Sequence, residues 1–343
     1  MFLSPFDDLK HVEIHLGSLS NHLQDKTIFL SGATGFIGKG LVENLVWLSR
    51  SKKLNLSIHS ISRSPENFFL NYPHFLNYPE FNLLIGDIRD KEIPFFGKTV
   101  DFVIHAATDV VGNNKPRDIF SACIDGTFNI LNFAKKNKCK NFLLLSSGAV
   151  YGRQPPDLKS IPESHEGAIN LSSPRSAYAL GKQGSEWLTQ QEKGEMEIKI
   201  ARCFAFIGPY LPLDQHFAIG NFLQDAILGN DIQILGDGSA VRTYLYTSDL
   251  TIWLLKILIS GSNGGVWNVG GSEEVSIADL AHLVAKIINP ALEVRVCQPR
   301  SGHPHRYIPD IRKAADELVL IPRIQLGQAI EKTAHWNRCY GEF

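Results

Sequence analysis

The sequence lacks the features that would point to a stabilising metal or disulfide. Its five cysteines are odd in number, widely spaced and contain no Cys-x-x-Cys pair, so neither a zinc site nor a disulfide framework is expected. They are Cys123, Cys139, Cys203, Cys297 and Cys339. The histidines His216, His303 and His305 are scattered and no HExxH motif occurs, so we expect no metal. A reducing cytoplasm suits this composition.

The sequence also lacks an excess of charge and a long apolar run. Its 34 Lys and Arg residues and 35 Asp and Glu residues give a net charge of -1, so no global field attracts nucleic acid or an anionic membrane. The most apolar stretch, residues 252–259, contains Lys256 and is too short to span a bilayer, so it predicts a buried helix. The opening MFLSPFDDLK does not resemble a signal peptide.

Strand and helix signals alternate through the first part of the 343-residue chain. Apolar segments predict strands, and helical spacing predicts helices between them, one of which places Phe120, Ile124, Phe128 and Leu131 on one side. The predicted strands are residues 27–31, 56–61, 83–85, 102–104 and 142–145, and the predicted helices are residues 38–48 and 120–136. This alternation predicts an α/β fold with a Rossmann-like, doubly wound parallel sheet.

The composition divides the chain into three parts. Residues 1–24 are an N-terminal extension, residues 25–205 form the dinucleotide-binding domain, and residues 206–343 form a smaller, mixed α/β substrate region with more Pro and Gly. Short elements are predicted there at residues 232–235, 266–269 and 277–288. Because ligands bind at the carboxyl ends of the strands where the strand order reverses, the third part would close that crevice.

A glycine loop predicts the cofactor site. Gly32, Gly35 and Gly38 stand in GATGFIG, directly after the first strand and before the first helix of the alternating part. Glycines in this context permit a tight turn and a close backbone approach to a pyrophosphate, which the helix N-terminus then binds. The residues between them, Thr34, Phe36 and Ile37, complete the predicted loop.

The adenine end of the cofactor is predicted from the next two strands. After the second strand the sequence reads Ile61-Ser62-Arg63, without the carboxylate that binds the ribose of NAD, which favours NADP. Arg63 could instead lie over the adenine, which leaves NAD open. Asp87, after the third strand, is placed to accept from the adenine amino group, with Ile88 beside the ring.

Three residues form the predicted catalytic group. Tyr178 and Lys182 are four residues apart on a helix that is predicted to begin at Ser173, so the phenol and the ammonium share a face. A nearby cation lowers the pKa of a tyrosine and makes it a usable base. Ser147 follows an apolar strand and could stabilise charge on the reacting oxygen.

Taken together, the motifs resemble the extended short-chain dehydrogenase/reductases, specifically the NAD-dependent nucleotide-sugar epimerase/dehydratase family. The resemblance covers roughly residues 26–320 and rests on GATGFIG, GDIRD, HAAT, SSGAVYG, YALGK, RCFAFIGPY and GDGSAVRTYLYTSD. It implies an enzyme with Ser147, Tyr178 and Lys182 as its catalytic triad, a nucleotide-diphosphate sugar as substrate, and a homodimer as its assembly. It further implies cofactor contacts by His105, Ala106, Ala107 and Thr108, and substrate contacts by Gly148, Asn221, Arg242 and Arg300.

Two departures from the family pattern bear on the reaction. The family's 4,6-dehydratases carry an Asp–Glu pair, and its decarboxylases a Ser–Glu pair, where this chain has Gly148 and Ala149. Ala205 replaces an Asn found in many relatives. The resemblance therefore implies hydride transfer at a sugar carbon, expected to be C4, by an epimerase or a 4-keto reductase. A dehydratase or decarboxylase with acid/base groups placed elsewhere, and a cofactor-sensing protein without catalysis, are the alternatives.

Overall fold

The computed structural model describes residues 2–95, 99–108, 115–215, 217–299 and 302–341, so Arg300 and His216 lie outside the described residues. Its α-helices are α1 (Phe6–Leu16), α2 (Phe36–Ser51), α3 (Pro65–Asn71), α4 (Pro116–Lys136), α5 (Ala177–Gln190), α6 (Ala218–Leu228), α7 (Thr247–Ser260), α8 (Ile277–Ile288), α9 (Arg312–Leu318) and α10 (Leu326–Tyr340). Its longer strands are β1 (Thr27–Ser31), β2 (Ser57–Ser62), β3 (Phe81–Ile85), β4 (Phe102–His105), β5 (Asn141–Ser147) and β6 (Glu197–Cys203). The later strands are β7 (Phe206–Ile207), β8 (Ile232–Ile234), β9 (Val241–Arg242), β10 (Leu245–Tyr246), β11 (Gly265–Val269), β12 (Val275–Ser276), β13 (Val294–Val296) and β14 (Arg306–Tyr307).

A seven-stranded sheet in the order β11-β6-β5-β4-β1-β2-β3 forms the centre, and its paired strands all run parallel. The strand order reverses between β1 and β4, where Ser31 lies opposite His105. The predicted doubly wound sheet is confirmed. The loops after β1, β4 and β5 leave from the same edge, so they bring the predicted cofactor and catalytic residues to one crevice.

The chain after residue 205 contributes both to this sheet and to smaller ones. β11 adds the outermost strand beside β6, and the buried helix α7 packs against the same core, as predicted for residues 252–259. Three short sheets lie apart from the central one: β10–β7, β12–β9–β14 and β13–β8. They form the predicted substrate-side layer. The boundary predicted at residue 205 therefore does not separate two layers, because β11, which follows it in sequence, is part of the central sheet. Within the described residues, no helix is long and apolar enough to cross a membrane.

Only part of the apolar side of helix α4 faces the protein. Phe120 and Phe128 are 41% and 53% exposed, whereas Leu131 is buried as expected. The buried face instead contains small residues such as Ala122 and Gly126, which allow close approach to neighbouring segments. Helical spacing identified an apolar stripe correctly, but it does not tell which of two stripes packs inward.

The N-terminal extension is folded onto the rest of the chain. Its helix α1 packs on α7, and the phenol of Tyr246 donates to Asp8 Oδ2 at 2.7 Å. The backbone N–H groups of Leu3 and Ser4 donate to the buried carboxylate of Glu43 on α2, at 2.8 and 2.7 Å. Trp336 on α10 donates its indole N–H to the Leu3 carbonyl at 2.9 Å. This extension is therefore attached to the helix that follows the glycine loop.

Candidate active site

The loop between β1 and α2 is built from three glycines with different surroundings. A Cβ on Gly32, whose φ is +82°, would lie 2.7 Å from the backbone nitrogen of Ala107. A Cβ on Gly38 would lie 2.0 Å from the Gly32 carbonyl oxygen, so neither position can hold a side chain. At Gly35 the corresponding contact with Gly32 is a much looser 3.4 Å. The resulting open turn at the N-terminus of α2 fits the pyrophosphate of a dinucleotide.

His105, at the end of β4, holds the neighbouring strand ends together. Its Nδ1 lies 2.7 Å from Ser31 Oγ and its Nε2 lies 3.1 Å from Thr127 Oγ1. Burial lowers the pKa of His105 to about 3, so the ring is neutral. Ser31 Oγ also accepts the N–H of Ala107 at 3.3 Å, and the Thr108 hydroxyl donates to the Ala107 carbonyl. The His105 side chain therefore shapes the loop, and the backbone of residues 106–108 faces the glycine turn.

The predicted adenine-end residues follow β2 and β3. Asp87 accepts from the Arg89 guanidinium at 2.6 Å, and this bond is the largest cause of its lowered pKa. Arg63 is exposed, and its positive charge lowers the pKa of Asp87 further. Ile88 packs over Gly126, where a Cβ would lie 2.6 Å from Ile88 Cδ1. Asp87 is thus an ionised acceptor at the sheet edge, with Ile88 fixed beside it.

Ser147 is the last residue of β5 and lies at the carboxyl edge of the sheet, as predicted. Its extended backbone leads into a short 3-10 turn, Gly148–Tyr151, and its Oγ accepts the N–H of Ala149 at 3.1 Å. The Ser147 side chain is 7% exposed, and its backbone pairs with Cys203 of β6. The hydroxyl is therefore held rigidly at the bottom of the crevice.

Tyr178 and Lys182 lie on α5, which packs beside β5. Ser173 is the N-cap and Pro174 the first residue of a 3-10 turn, Pro174–Ser176, that continues directly into α5 at Ala177, although Ser173 makes no side-chain cap bond. Lys182 Nζ donates to the Leu145 carbonyl of β5 at 2.8 Å and lies 5.9 Å from the centre of the Tyr178 ring. The Ser147 hydroxyl is near enough to the Tyr178 phenol to lower its pKa in part. The structure thus brings the three predicted catalytic residues together.

Desolvation controls the protonation of this pair. It raises the pKa of Tyr178, although the hydrogen bond with Ser147 lowers that pKa in part. Desolvation also lowers the pKa of Lys182. The net direction at Tyr178 is opposite to the one expected from the Tyr–Lys spacing, because removal of the phenol from water is the largest effect on its pKa. Both groups are therefore held toward their neutral forms.

Gly148 is enclosed by two aromatic rings from the later part of the chain. A Cβ at this position would lie 2.6 Å from the Tyr307 hydroxyl and 2.7 Å from Cζ of Phe204. The two rings pack on each other with centres 4.5 Å apart. Desolvation raises the pKa of the Tyr307 phenol, and the nearby Ser147 hydroxyl lowers it in part. The space that an acidic side chain would need at Gly148 is therefore filled by aromatic groups.

Arg242 connects the catalytic end of the crevice to the substrate-side layer. It lies in β9, paired with Tyr307 of β14, and its guanidinium carbon is 5.8 Å from the Tyr307 ring centre. Its Nη1 donates to the carbonyls of Val241 and His305, each at 2.9 Å. Desolvation lowers the pKa of Arg242. The structure therefore places this predicted substrate residue beside the catalytic centre.

A cavity of about 940 Å³ lies among α6, β8 and the Asp237–Gly238 turn. Asn221 lines it, and with its amide nitrogen facing acceptors it donates to the carbonyls of Gln215 and Leu213 at 2.7 and 3.0 Å. Phe222, Ile234 and Leu235 add apolar walls. The sequence analysis predicted Asn221 here but missed the walls, because a three-residue strand carries little periodic signal.

The residues missed at the catalytic end are Tyr307 and Phe204. Tyr307 lies in a two-residue strand, and nothing in its immediate sequence connects it to Ser147. Phe204 follows Cys203, so its proximity to Gly148 could have been anticipated from the parallel pairing of β5 and β6. Arg202, two residues earlier, is engaged within the protein by Glu186 at 2.7 Å and Tyr151 at 2.8 Å.

Comparison with known proteins yields one family and several similar folds. The family described as NAD dependent epimerase/dehydratase matches residues 28–270. UDP-glucuronic acid decarboxylase 3 of Arabidopsis thaliana is 29% identical over 308 residues, which cover 88% of this chain and 86% of that protein.

Solved structures share the whole architecture at lower identity. An epimerase from Methanothermobacter thermautotrophicus superposes with a TM-score of 0.78 at 23% identity, covering 95% of each chain. A UDP-glucuronic acid 4-epimerase from Bacillus cereus, in complex with NAD, superposes with a TM-score of 0.76 at 23% identity, covering 92% of this chain and all of the other. At these identities the similarity supports the fold and leaves the reaction to be argued from the site.

Proposed function

The chain belongs to the NAD dependent epimerase/dehydratase family, and from that premise we propose that it transfers hydride at a sugar carbon, C4, of a nucleotide-diphosphate hexose. The reaction is that of an epimerase or a 4-keto reductase. The observation that carries this proposal is the enclosure of Gly148 by Tyr307 and Phe204, next to the Ser147–Tyr178–Lys182 group.

The surroundings of Gly148 argue against the other reactions of the family. The family's dehydratases and decarboxylases use a carboxylate at position 148 or 149, whereas this chain has Gly148 and Ala149. No side chain fits at 148 without moving Tyr307 or Phe204. The decarboxylase relatives are 27–29% identical to this chain, but this chain has Ala149 where the family's decarboxylases carry their acidic residue. Hydride transfer at a carbinol carbon requires one acid/base and one oxygen-orienting group, and both are present.

Each residue of the triad has a role in that chemistry. Tyr178 takes the proton from the sugar hydroxyl, and Ser147 donates to the same oxygen. Lys182, fixed by the Leu145 carbonyl, supplies positive charge near the phenol. When bound, NAD or NADP supplies the hydride acceptor. A positive charge beside Tyr178 opposes the desolvation that raises its pKa, so cofactor binding and activation of the base are coupled.

The nucleotide half of the substrate is proposed to bind away from the Ser147–Tyr178–Lys182 group, on the side of Arg242 and Asn221. A diphosphate carries about two negative charges, which planar guanidinium groups such as Arg242 bind in pairs. The cavity lined by Asn221 then has the size and mixed polarity for a nucleoside. Arg300, which lies outside the described residues, remains a second proposed diphosphate ligand.

For the cofactor we propose NADP, with NAD as the alternative. The end of β2 offers Ser62 and the exposed Arg63, and an Arg at this place suits a 2′-phosphate. The structural neighbour from Bacillus cereus is complexed with NAD, so the choice depends on Arg63 itself.

We also propose a homodimer formed by the exposed faces of α4 and α5. Phe128 on α4 is 53% exposed and Trp187 on α5 is 64% exposed, and the two helices pack side by side. Large apolar side chains on neighbouring helices are typical of an interface. Light scattering should report a dimer, and Trp187→Glu with Phe128→Glu should give a folded monomer. A monomeric wild type would refute this assembly.

Incubation with a panel of substrates tests the reaction. UDP- and dTDP-hexoses, UDP-glucuronic acid and their 4-keto derivatives are supplied with NAD, NADP or the reduced cofactors, and products are separated by chromatography. An epimerase interconverts C4 epimers without net consumption of cofactor, whereas a reductase oxidises one reduced cofactor for each 4-keto sugar. A 4-keto-6-deoxy product, or CO₂ released from UDP-glucuronic acid, would overturn the proposal.

A further inference from the structure

A buried carboxylate on α5 lies in line with the predicted catalytic pair. Tyr178, Lys182 and Glu186 recur at every fourth residue, so they occupy one face of the helix. Glu186 is 8% exposed. It follows Tyr178 by two helical turns, about 12 Å along the helix axis. At that distance the carboxylate does not reach the reacting oxygen, so any part it has in the reaction is indirect.

The carboxylate of Glu186 is bound at both oxygens from the neighbouring strands. Arg202 of β6 donates through Nε to Oε1 at 2.9 Å and through Nη2 to Oε2 at 2.7 Å. The hydroxyl of Ser146, in β5, donates to the same Oε1. Because a bidentate bond between a guanidinium and a carboxylate has a fixed planar geometry, it determines direction as well as distance.

The guanidinium that binds Glu186 is itself held in place by the sheet. Arg202 lies opposite Ser146 of β5 on one side and opposite Asn268 of β11 on the other. Its Nη1 donates to the Tyr151 hydroxyl at 2.8 Å, and that hydroxyl donates to Oδ1 of Asn268 at 2.8 Å. Arg202 is therefore fixed relative to three strands, and Glu186 connects α5 to that fixed group.

Ser147 belongs to the same part of the sheet as this anchor. It directly follows Ser146 in β5 and lies opposite Cys203, the residue after Arg202. Two successive residues of β5 thus have different tasks, since Ser146 binds Glu186 while Ser147 lies at the crevice. The distance between Tyr178 and Ser147 depends on where the Glu186 contacts hold α5.

We propose that Glu186 is a positioning residue, which through Arg202 and Ser146 sets the place of α5 on the sheet and so aligns Tyr178 with Ser147. The inference rests on the proposed function, in which Tyr178 and Ser147 bind the same sugar oxygen. A displacement of about 1 Å in a reacting group can cost roughly a hundredfold in rate, so a contact far from the chemistry can control turnover. The glycine loop is not part of this anchor, so cofactor affinity should change little.

The charge of Glu186 offers a competing explanation. Burial lowers the pKa of Lys182, and the Glu186 carboxylate opposes that shift, as do the thiols of Cys123 and Cys203. If Glu186 acted on Lys182 through its charge, loss of the charge would impair turnover and loss of side-chain length would not. The two explanations therefore predict opposite effects for two conservative substitutions.

Glu186→Asp and Glu186→Gln separate length from charge. Glu186→Asp keeps the charge and shortens the side chain by one methylene, whereas Glu186→Gln keeps the length and can still accept from Arg202. We expect kcat to fall about tenfold to a hundredfold in Glu186→Asp and less than about fivefold in Glu186→Gln, with KM and the NAD dissociation constant within about twofold of wild type. An active Glu186→Asp beside an inactive Glu186→Gln would overturn the proposal in favour of the charge.

Crystal structures of the wild type and Glu186→Asp show the displacement without any turnover. Helix α5 should move by about 0.5–1 Å relative to β5, which changes the distance between Tyr178 and Ser147. An α5 that stays in place would contradict the proposal. If no nucleotide sugar reacts, the proposed function fails, while this comparison still decides whether Glu186 positions α5. Ser146→Ala removes one bond, keeps the ion pair and should move α5 in the same way by less, which provides the test if Glu186→Asp does not fold.

A second bidentate pair controls for the loss of stability. Arg50 donates to both oxygens of Glu80 at 2.8 Å, beside β3 and across the sheet from β6. Glu80→Asp should lower the melting temperature and leave kcat within about twofold of wild type. Rates are measured well below the melting temperature of every variant, so that all are folded. A Glu186→Asp variant that is as active as wild type under these conditions would reduce the Glu186–Arg202 pair to packing and refute the proposal.

Discussion

The hydroxyl of Tyr307 lies 2.6 Å from the point where a Cβ on Gly148 would stand. The two residues belong to different layers of the fold, one to the turn after β5 and the other to the short strand β14. A glycine in one layer thus allows an aromatic side chain from the other to lie against the turn that follows Ser147. A substitution at Gly148 is therefore expected to affect both the packing of Tyr307 and the reactivity of the neighbouring Ser147.

Gly148→Ala should therefore destabilise the protein and reduce turnover. The added methyl meets Tyr307 and Phe204 at less than van der Waals distance, and overpacking of this kind typically costs about 1–3 kcal/mol. Urea denaturation of Gly148→Ala is compared with that of Gly194→Ala, where a Cβ meets nothing within 4 Å. Equal stability of the two variants would show that Tyr307 and Phe204 can move aside at no measurable cost in stability.

The glycine loop should respond unequally to the same substitution. Gly32→Ala forces an alanine into a φ of +82° and against the Ala107 backbone, so cofactor binding should be lost together with some stability. Gly35→Ala meets a contact of 3.4 Å and should weaken binding much less. Calorimetric titration with NAD and NADP measures both. Comparable losses in the two variants would contradict the steric account of the loop.

Tyr178→Phe should abolish turnover and keep cofactor binding. The ring still packs, and the oxygen that accepts the substrate proton is removed. General acid–base groups contribute about 10²–10⁴ in rate, so residual activity within about tenfold of wild type would exclude Tyr178 from that role. Steady-state kinetics with the reactive nucleotide sugar, alongside NAD binding, makes the comparison.

Arg63→Ala should reduce the preference for NADP over NAD. If its guanidinium bonds to the 2′-phosphate, the loss should be about 1–3 kcal/mol in NADP binding, with little change for NAD. Dissociation constants for both cofactors are measured in wild type and variant. Equal affinities in the wild type would reject NADP and add weight to an epimerase, which returns the hydride within one turnover.

Buried histidines should make the fold sensitive to mild acid. Burial lowers the pKa of His105 to about 3 and that of His74 to about 4, from 6.5 in the unfolded chain. Below pH 6.5 the unfolded state binds more protons, so stability present at neutral pH is lost as the pH falls toward those lower values. The slope is about 1.4 kcal/mol per pH unit for each fully linked histidine.

His105→Asn tests how much of the pH dependence of stability is due to His105. The variant should be less stable at neutral pH, because the contacts with Ser31 and Thr127 are changed, yet its stability should fall less steeply between pH 6.5 and the acid range. Urea denaturation at several pH values provides both slopes. A slope as steep as that of wild type would mean that His105 is already protonated in the fold.

The parts of the site that sequence could predict are those that lie within one turn or one helix. The GATGFIG loop could be predicted because its glycines stand directly between a strand and a helix, and Tyr178 and Lys182 share a helix face by their spacing. Ser147 could be placed because apolar strands of a parallel sheet end at a common edge. These predictions depend on short-range geometry that the residue types determine.

The position of Tyr307 could not be predicted in this way, because it depends on how β14 pairs with β9. The net direction of the Tyr178 pKa was also mispredicted, since spacing reveals a neighbouring charge but not the loss of water around the phenol. The exposure of Phe120 and Phe128 on α4 could not be predicted for a related reason. Each depends on tertiary packing, which a single segment does not specify.

The hydrogen bond from Trp336 to the Leu3 carbonyl has a consequence for how the chain folds during synthesis. Leu3 is separated from Trp336 by 333 positions along the chain, so it is translated long before its partner. The N–H groups of Leu3 and Ser4 can meet Glu43 early, but the contact with α10 must wait. Closing so long a loop is slow compared with local contacts. The docking of α10 onto residues 3 and 4 is therefore expected to be a late step of folding.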